Sequence, residues 1–236
     1  MQFIVSEDIF EKLPNACFGC VAVQGVDNRE KRQAIEDLLA ANVARCEAEL
    51  EGLKVKELPD ILYYRDAFRA VGINPNKFMC SIESLLTRIA KKKGFPAING
   101  LVDLGNAVSV GCRIPIGAHD IDSFADGTLE LRQAGPEDTF VAFGETETET
   151  PDPGEPVYVS GHTVRTRRWA WRQSEIGKIT EDTTSVFFPI DGFTDVNLPE
   201  VLRARDEIAA LLKQHFGCTA EVGLVDREHP VFTAFT

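Results

Sequence analysis

The segment from Ile98 to Asp120, INGLVDLGNAVSVGCRIPIGAHD, constrains this chain more than any other. It is an apolar run of the kind that makes a core strand or helix. Yet it carries Asp103 and Asn106, which such an element would exclude. It closes in the turn-like sequence Pro115-Ile116-Gly117-Ala118-His119-Asp120. Buried polar groups are costly unless paired, so several in one apolar stretch imply a built pocket.

The surrounding pattern divides into early helices and late strands. Ala16 to Val26 reads as a buried strand ending in a turn at Gly25 to Asn28. A helix is expected from about Arg29 to Leu50, with Ile35, Leu38, Leu39, Val43 and Cys46 on one face and Gly52 as its stop. Leu62 to Val71 reads as a short helix broken by Gly72-Ile73-Asn74-Pro75-Asn76. Ser81 to Lys93 is the next helix, with Ser81 as N-cap and Lys91, Lys92 and Lys93 at the end where the dipole favours cations. Beyond Pro115, strands are expected at Thr128 to Arg132, Thr139 to Gly144, within Val157 to Trp171, at Ser185 to Ile190 and at Thr219 to Val225. Glu145 to Thr150, ETETET, reads as an exposed hairpin or loop. A helix from Asn197 to Phe216, with Asn197 as cap and Gly217 as stop, interrupts the strands. The pattern is α+β and predicts one domain over residues 1–236.

Composition narrows the function. With 236 residues and 44% hydrophobic content the chain can bury a substantial core. Its net charge of −12 argues against general nucleic-acid binding and against a DNA partner, although a local basic patch can outweigh an acidic average. No apolar run approaches a membrane span, and the opening MQFIVSEDIFEKLP is too acidic for a signal peptide. A soluble, cytoplasmic protein with no membrane partner is expected. Cys17-Phe-Gly-Cys20 has the spacing of a metal or redox pair, but it runs into a strand and no second pair exists among the six cysteines. Core burial is the favoured reading. The four histidines are far apart in sequence, and neither a metal nor a cofactor is expected.

Common catalytic signatures are missing: no P-loop, no dinucleotide fingerprint, no Gly-x-Ser-x-Gly and no His-Glu-x-x-His. The strongest charge feature runs from His162 to Arg172. If extended, it places Arg165, Arg167, Trp169 and Trp171 on one face and Arg168 and Arg172 on the other. Two readings stay open. Cations and flat rings suit phosphate contact and base stacking. Equally, the tryptophans could fill the core while the arginines pair with the surplus acids. Downstream, Glu175 is placed either to read a substrate hydroxyl or amine, or to pair with Arg172 or Lys178. Thr183 and Thr184 either line a pocket or open the strand at Ser185.

Three motifs in order carry a family resemblance: Leu101-Val102-Asp103-Leu104-Gly105-Asn106, Pro115 to Asp120, and Ile179-Thr180-Glu181-Asp182-Thr183-Thr184. Arg65 with Asn74-Pro75, Ser81 to Leu86, Glu155 to Tyr158 and Trp171-Arg172 accompany them. The chain, over roughly residues 62–216, resembles the B3/B4 domain of the bacterial phenylalanyl-tRNA synthetase β subunit. It is closer still to free-standing B3/4 proteins. The resemblance implies a three-layer core with a β-sandwich of unusual topology and flanking helices. It implies a deacylase that hydrolyses the ester of a misacylated tRNA in trans, with tRNA as partner. The alternative is a non-catalytic module that binds RNA or an amino acid in the same pocket.

Carried residue by residue, the family asparagine is Asn106, with Gly105 in place of the usual threonine. In the family motif Pro-x-His-Ala-Phe-Asp, Gly117 takes the place of the histidine and His119 that of the phenylalanine. The resemblance therefore assigns catalysis to Asn106 and His119, with backbone amides near Gly117 holding the ester or water. Substrate contact falls to Gly105, Gly117, Glu175, Thr183 and Thr184. RNA contact falls to Arg65, Arg165, Arg167, Arg168 and Arg172. The altered pocket implies that the amino acid need not be the family's tyrosine.

Overall fold

The computed structural model describes residues 1–235, so the final residue of the expected 1–236 unit, Thr236, lies outside the described residues. The helices are α1 (Glu7–Lys12), α2 (Gln33–Glu49), α3 (Pro59–Ala70), α4 (Ser81–Ala90), α5 (Gly100–Cys112) and α6 (Leu198–Leu211). The strands are β1 (Gln2–Val5), β2 (Ala16–Gln24), β3 (His119–Asp120), β4 (Thr128–Gln133), β5 (Phe140–Val141) and β6 (Thr148–Glu149). They continue with β7 (Pro156–Ser160), β8 (Thr163–Arg167), β9 (Arg172–Gln173), β10 (Ser185–Phe193), β11 (Glu221–Val225) and β12 (Val231–Thr233).

Two nine-residue strands, β2 and β10, form the centre. They pair antiparallel over their whole length, Ala16 opposite Phe193 and Gln24 opposite Ser185. Both are buried almost throughout, so each face must meet another layer. On β10 the alternation is explicit. Phe187 packs on Phe3 and Phe232, in the second sheet. Phe188 lies against Gly105 of α5, and Val201 of α6 presses on Gly192. The four-stranded sheet has the order β11-β2-β10-β3, and the six-stranded sheet β12-β1-β4-β7-β8-β9. Helices, the smaller sheet and the larger sheet thus stack as three layers. The architecture is α+β, with a sheet-on-sheet sandwich flanked by helices, and parallel pairing of β1 with β4 sets its topology apart from a simple meander.

Several boundaries differ from the sequence expectation, each for a local reason. Pro59 starts α3 earlier than Leu62, because proline suits the first helical position. Cys80, not Ser81, is the N-cap residue of α4. Asn197 is the N-cap residue of α6 as expected, but its side chain makes no cap bond: its Oδ1 accepts from the Phe193 amide (2.8 Å) and its Nδ2 donates to Tyr64 (3.0 Å). The expected strand at Thr139 to Gly144 shortens to β5, which pairs with part of the ETETET segment as β6. The run at Ile98 becomes α5. Cys17 and Cys20 are both buried in β2, three residues apart, so strand alternation sends their thiols to opposite faces. Burial pushes Cys17 up to about 12. Among the described residues no helix is long and apolar enough to cross a membrane.

Candidate functional site

The polar residues of the opening segment divide between scaffold and site. Asn99 caps α5 by accepting from the Val102 amide at 3.1 Å. Buried Asn28 accepts from the Leu101 amide (2.9 Å) and donates to Asn99 (3.1 Å) and to the Thr180 carbonyl (2.8 Å). Asp103 accepts from the Ile98 amide at 2.8 Å, and burial raises its carboxyl pKa. Asp103 therefore secures the helix entrance. Gly105 and Asn106, one half-turn further, line a cavity of about 90 Å³ with Ile116, Gly117, Gln173 and Lys178.

A second cavity of about 120 Å³ adjoins the first at Ile116, Gly117 and Gln173. Its walls include His119, Tyr158, Trp169, Trp171 and Asp191. Gly117 is what lets the two chambers take this form. A Cβ there would stand 3.1 Å from His119 Nε2 and 3.1 Å from Pro189 Cγ. The imidazole of His119 thus leans into the space that a side chain at residue 117 would fill. The Gly117 amide itself donates to the Pro189 carbonyl at 2.9 Å, so it is not free to hold an ester.

His119 is fully enclosed and stacks obliquely on Tyr158, with ring centres 5.6 Å apart. Burial, reinforced by the Arg165 charge, lowers its pKa to about 3, so the ring is neutral at physiological pH. Its Nδ1 has no hydrogen-bond partner among the described residues. Arg165 is also buried and donates to the Ser123 carbonyl, while its Nε and Nη1 have no partner.

Asp191 was not anticipated. It is 3% exposed, and its Oδ1 accepts from Tyr158 Oη (2.6 Å) and Trp169 Nε1 (2.8 Å). Tyr64 fixes its backbone by donating to the Asp191 carbonyl at 2.8 Å. Burial raises the carboxyl pKa to about 6 against the opposing effect of those donors. The available signal was a lone acid in an otherwise apolar strand, Ser185–Phe193, whose expected end at Ile190 stops just short of it. Trp169 reaches Asp191 through an uncommon backbone: Arg168 (φ 49°) and Trp169 (φ 60°) are consecutive left-handed residues. The strip is therefore not extended beyond Arg167, and the expected sharing of a face by Arg165, Arg167, Trp169 and Trp171 does not hold.

The expected RNA-contacting arginines mostly carry their charge inward. Arg65 is buried and pairs with Glu83 at 2.5 Å. Arg167 grips Glu155 through two bonds of 2.7 and 2.9 Å and reaches Glu149 at 2.8 Å. Arg168 pairs with Asp152 (2.8 Å) and lies over the Phe78 ring, 3.9 Å from its centre. Arg172 is the exception: it is partly exposed and pairs with Glu145 at 2.7 Å. Glu175 lies outside both cavity walls. It bonds to Lys178 and to the Gly144 amide (2.9 Å), and these hold its pKa below the usual glutamate value. Thr183 donates to Asp120 at 2.9 Å and Thr184 to Asp122 at 3.3 Å, so both brace the turn after β3 and neither lines a cavity. Among the described residues no cluster of three or more His, Cys, Asp or Glu side chains is placed to hold a metal ion.

The order of these elements around Gly117 coincides with a family match: the B3/4 domain model fits residues 63–217. The chain belongs to the B3/4 domain family. Within the B3/4 match lie both chambers and every one of the expected site residues. Among solved structures, the chain is similar to an N-terminal fragment of the phenylalanyl-tRNA synthetase β-subunit from Pyrococcus horikoshii, with 14% identity and a TM-score of 0.48. That similarity covers 92% of this chain and 49% of the fragment, so the chain spans about half the fragment's length. No curated protein matches the chain.

Proposed function

We propose that this B3/4 domain binds the aminoacyl end of tRNA and hydrolyses the ester of a misacylated tRNA in trans. The observation that carries the reading is His119 leaning over Gly117, at the junction of two small chambers whose other walls hold Asn106 and Asp191. An imidazole in that space compensates for the family histidine missing at Gly117. Association with tRNA is the coarser part of the proposal and rests on family membership.

The chemistry asked of the site is modest. Water adds to the ester carbonyl carbon, the bond to the terminal ribose oxygen breaks, and that oxygen takes up the proton released by the water. Because His119 is neutral with a low pKa, it is suited to orient the water by a hydrogen bond rather than to store the proton. The Asn106 amide can hold the ester carbonyl, and placement of water against ester supplies most of the acceleration. Phosphates near the mouth would meet Arg172 and Lys178, which retain exposure.

A panel of mischarged tRNAs tests this. At least one ester should be lost well above the buffer rate, and His119→Ala should slow that loss about 100-fold. No loss above buffer for any pair sinks the hydrolytic reading. One observation favours a second reading, a non-catalytic module for an amino-acid-like ligand: Arg65 and Arg167 commit their charges to the buried acids Glu83 and Glu155, and Arg168 is paired with Asp152. Retained ligand binding without ester loss would select it.

A further inference from the structure

Asp191 presents an imbalance that the hydrolytic reading leaves unused. Its Oδ1 takes two donors, yet Oδ2 receives none from the described residues while the carboxylate lines the 120 Å³ cavity. Among the described residues no arginine or lysine pairs with it, in contrast to Glu83, Glu155 and Asp138, each of which has a guanidinium partner. A buried carboxylate without a counter-charge is costly. The protein also spends backbone strain at Arg168 and Trp169 to bring the indole against it. The rest of the lining includes Tyr158, Trp171 and the neutral ring of His119, together with the polar side chains of Ser81, Thr166 and Gln173.

We propose that this cavity is an ammonium subsite, in which Asp191 Oδ2 pairs with a primary ammonium of an amino-acid-derived ligand. A compact cation supplies the missing charge and donates to the open oxygen. The volume admits a small group: an apolar cavity of about 150 Å³ holds a benzene ring. The ammonium can be the α-amino group common to all aminoacyl esters or the amine of a side chain. This inference deepens the proposed function by giving the chemistry of its amino-acid end, and rests on that chamber being the ligand site.

The test uses non-hydrolysable amides and the fluorescence of the chain's two tryptophans, Trp169 and Trp171, both of which line the cavity. Alaninamide carries only the α-ammonium, Nα-acetylornithinamide only a side-chain ammonium, and N-acetylalaninamide neither. At least one cationic probe should bind tenfold or more tighter than the neutral one. Preference between the two cations identifies the source of the ammonium. Asp191→Asn keeps an acceptor for Tyr158 and Trp169, and should remove at least tenfold of the cation's affinity without changing that of the neutral probe.

A second readout needs no variant. The groups around Asp191 are Tyr158 of β7, Tyr64 of α3, Cys20 and Cys17 of β2, Cys80 and His119. The phenols and thiols are pushed up by burial and His119 is pushed down to about 3. On neighbouring helices, Glu83 pairs with Arg65, and Arg205 pairs with Asp206. Asp191, at about 6, is the member of this shell that changes charge between pH 7 and pH 5. Cation binding should weaken about tenfold over that interval. Equal binding of cationic and neutral probes, no binding of either, or an unaltered affinity in Asp191→Asn overturns the proposal. Selective cation binding with no ester loss from any mischarged tRNA upholds it and removes the hydrolytic reading. Ester loss without cation preference overturns this proposal alone.

Discussion

Two buried polar regions meet at the turn through Arg167, Arg168 and Trp169, and they are built in opposite ways. On one side Arg167 and Arg168 are answered by Glu155, Glu149 and Asp152 at 2.7 to 2.9 Å. On the other, among the described residues, Asp191 Oδ2 has no donor, and His119 Nδ1 and two Arg165 nitrogens have no partner. Arg167, Arg168 and Glu155 are buried, as are Asp191, His119 and Arg165, while Glu149 and Asp152 reach the surface. The difference separates scaffold from site. Where the chain completes its own hydrogen bonds, charge locks layers together. Where bonds stay open beside a cavity, as at Asp191 and His119, they are the groups that the proposed ligand would engage.

The saturated side should be the more sensitive to truncation in stability. Glu155→Ala removes the two-point partner of Arg167 and leaves a buried cation. It should cost about 3–5 kcal/mol in urea or thermal unfolding. A loss under about 1 kcal/mol, the scale of an exposed ion pair, would erase the contrast.

The open side should reveal itself by pH. His119 has a folded pKa of about 3 against an ordinary 6.5, so the stability that comes from keeping it neutral is complete above 6.5 and lost as pH falls toward 3. Asp191 acts in the opposite sense. With its folded pKa near 6, its contribution is complete below the ordinary 3.8 and lost as pH rises through 6. In the wild type the two trends oppose each other between pH 4.5 and 6 (roughly). His119→Gln removes one of them, so its stability relative to wild type should rise by about 2–3 kcal/mol between roughly pH 6.5 and 4.5. A difference that stays constant with pH would mean that His119 is not held neutral by burial.

The sequence announced the frame more readily than the site. β2 and α6 are apolar patterns with readable limits, and packing followed pattern, whereas the run that became α5 read equally as strand or helix. The location of the pocket was also legible, because Asn106, Gly117 and His119 sit in one unusual segment. What could not be read was pairing across distance. Nothing local says that Arg65 finds Glu83, 18 residues away, or that Arg167 finds Glu155 across the β7–β8 hairpin. Asp103 looked like a pocket residue because only the fold shows the Ile98 amide it satisfies. Asp191 was missed because a hydrophobic run hides a single acid. Its role depends on Tyr158 and on Trp169, whose left-handed backbone breaks the strand alternation.

The most direct test of the contrast between the two regions is to locate a ligand on the molecule. The probe is 3′-alanylamino-3′-deoxyadenosine, an amide mimic of the aminoacyl end, titrated into ¹⁵N-labelled protein while amide and indole signals are followed. The account predicts shifts concentrated at Gly105, Asn106, Gly117, His119, Gln173 and the Trp169 indole, with Glu155 and Arg167 undisturbed. Shifts confined to the Glu155–Arg167 side or to Lys91 to Lys93, or no shifts at all, would contradict it.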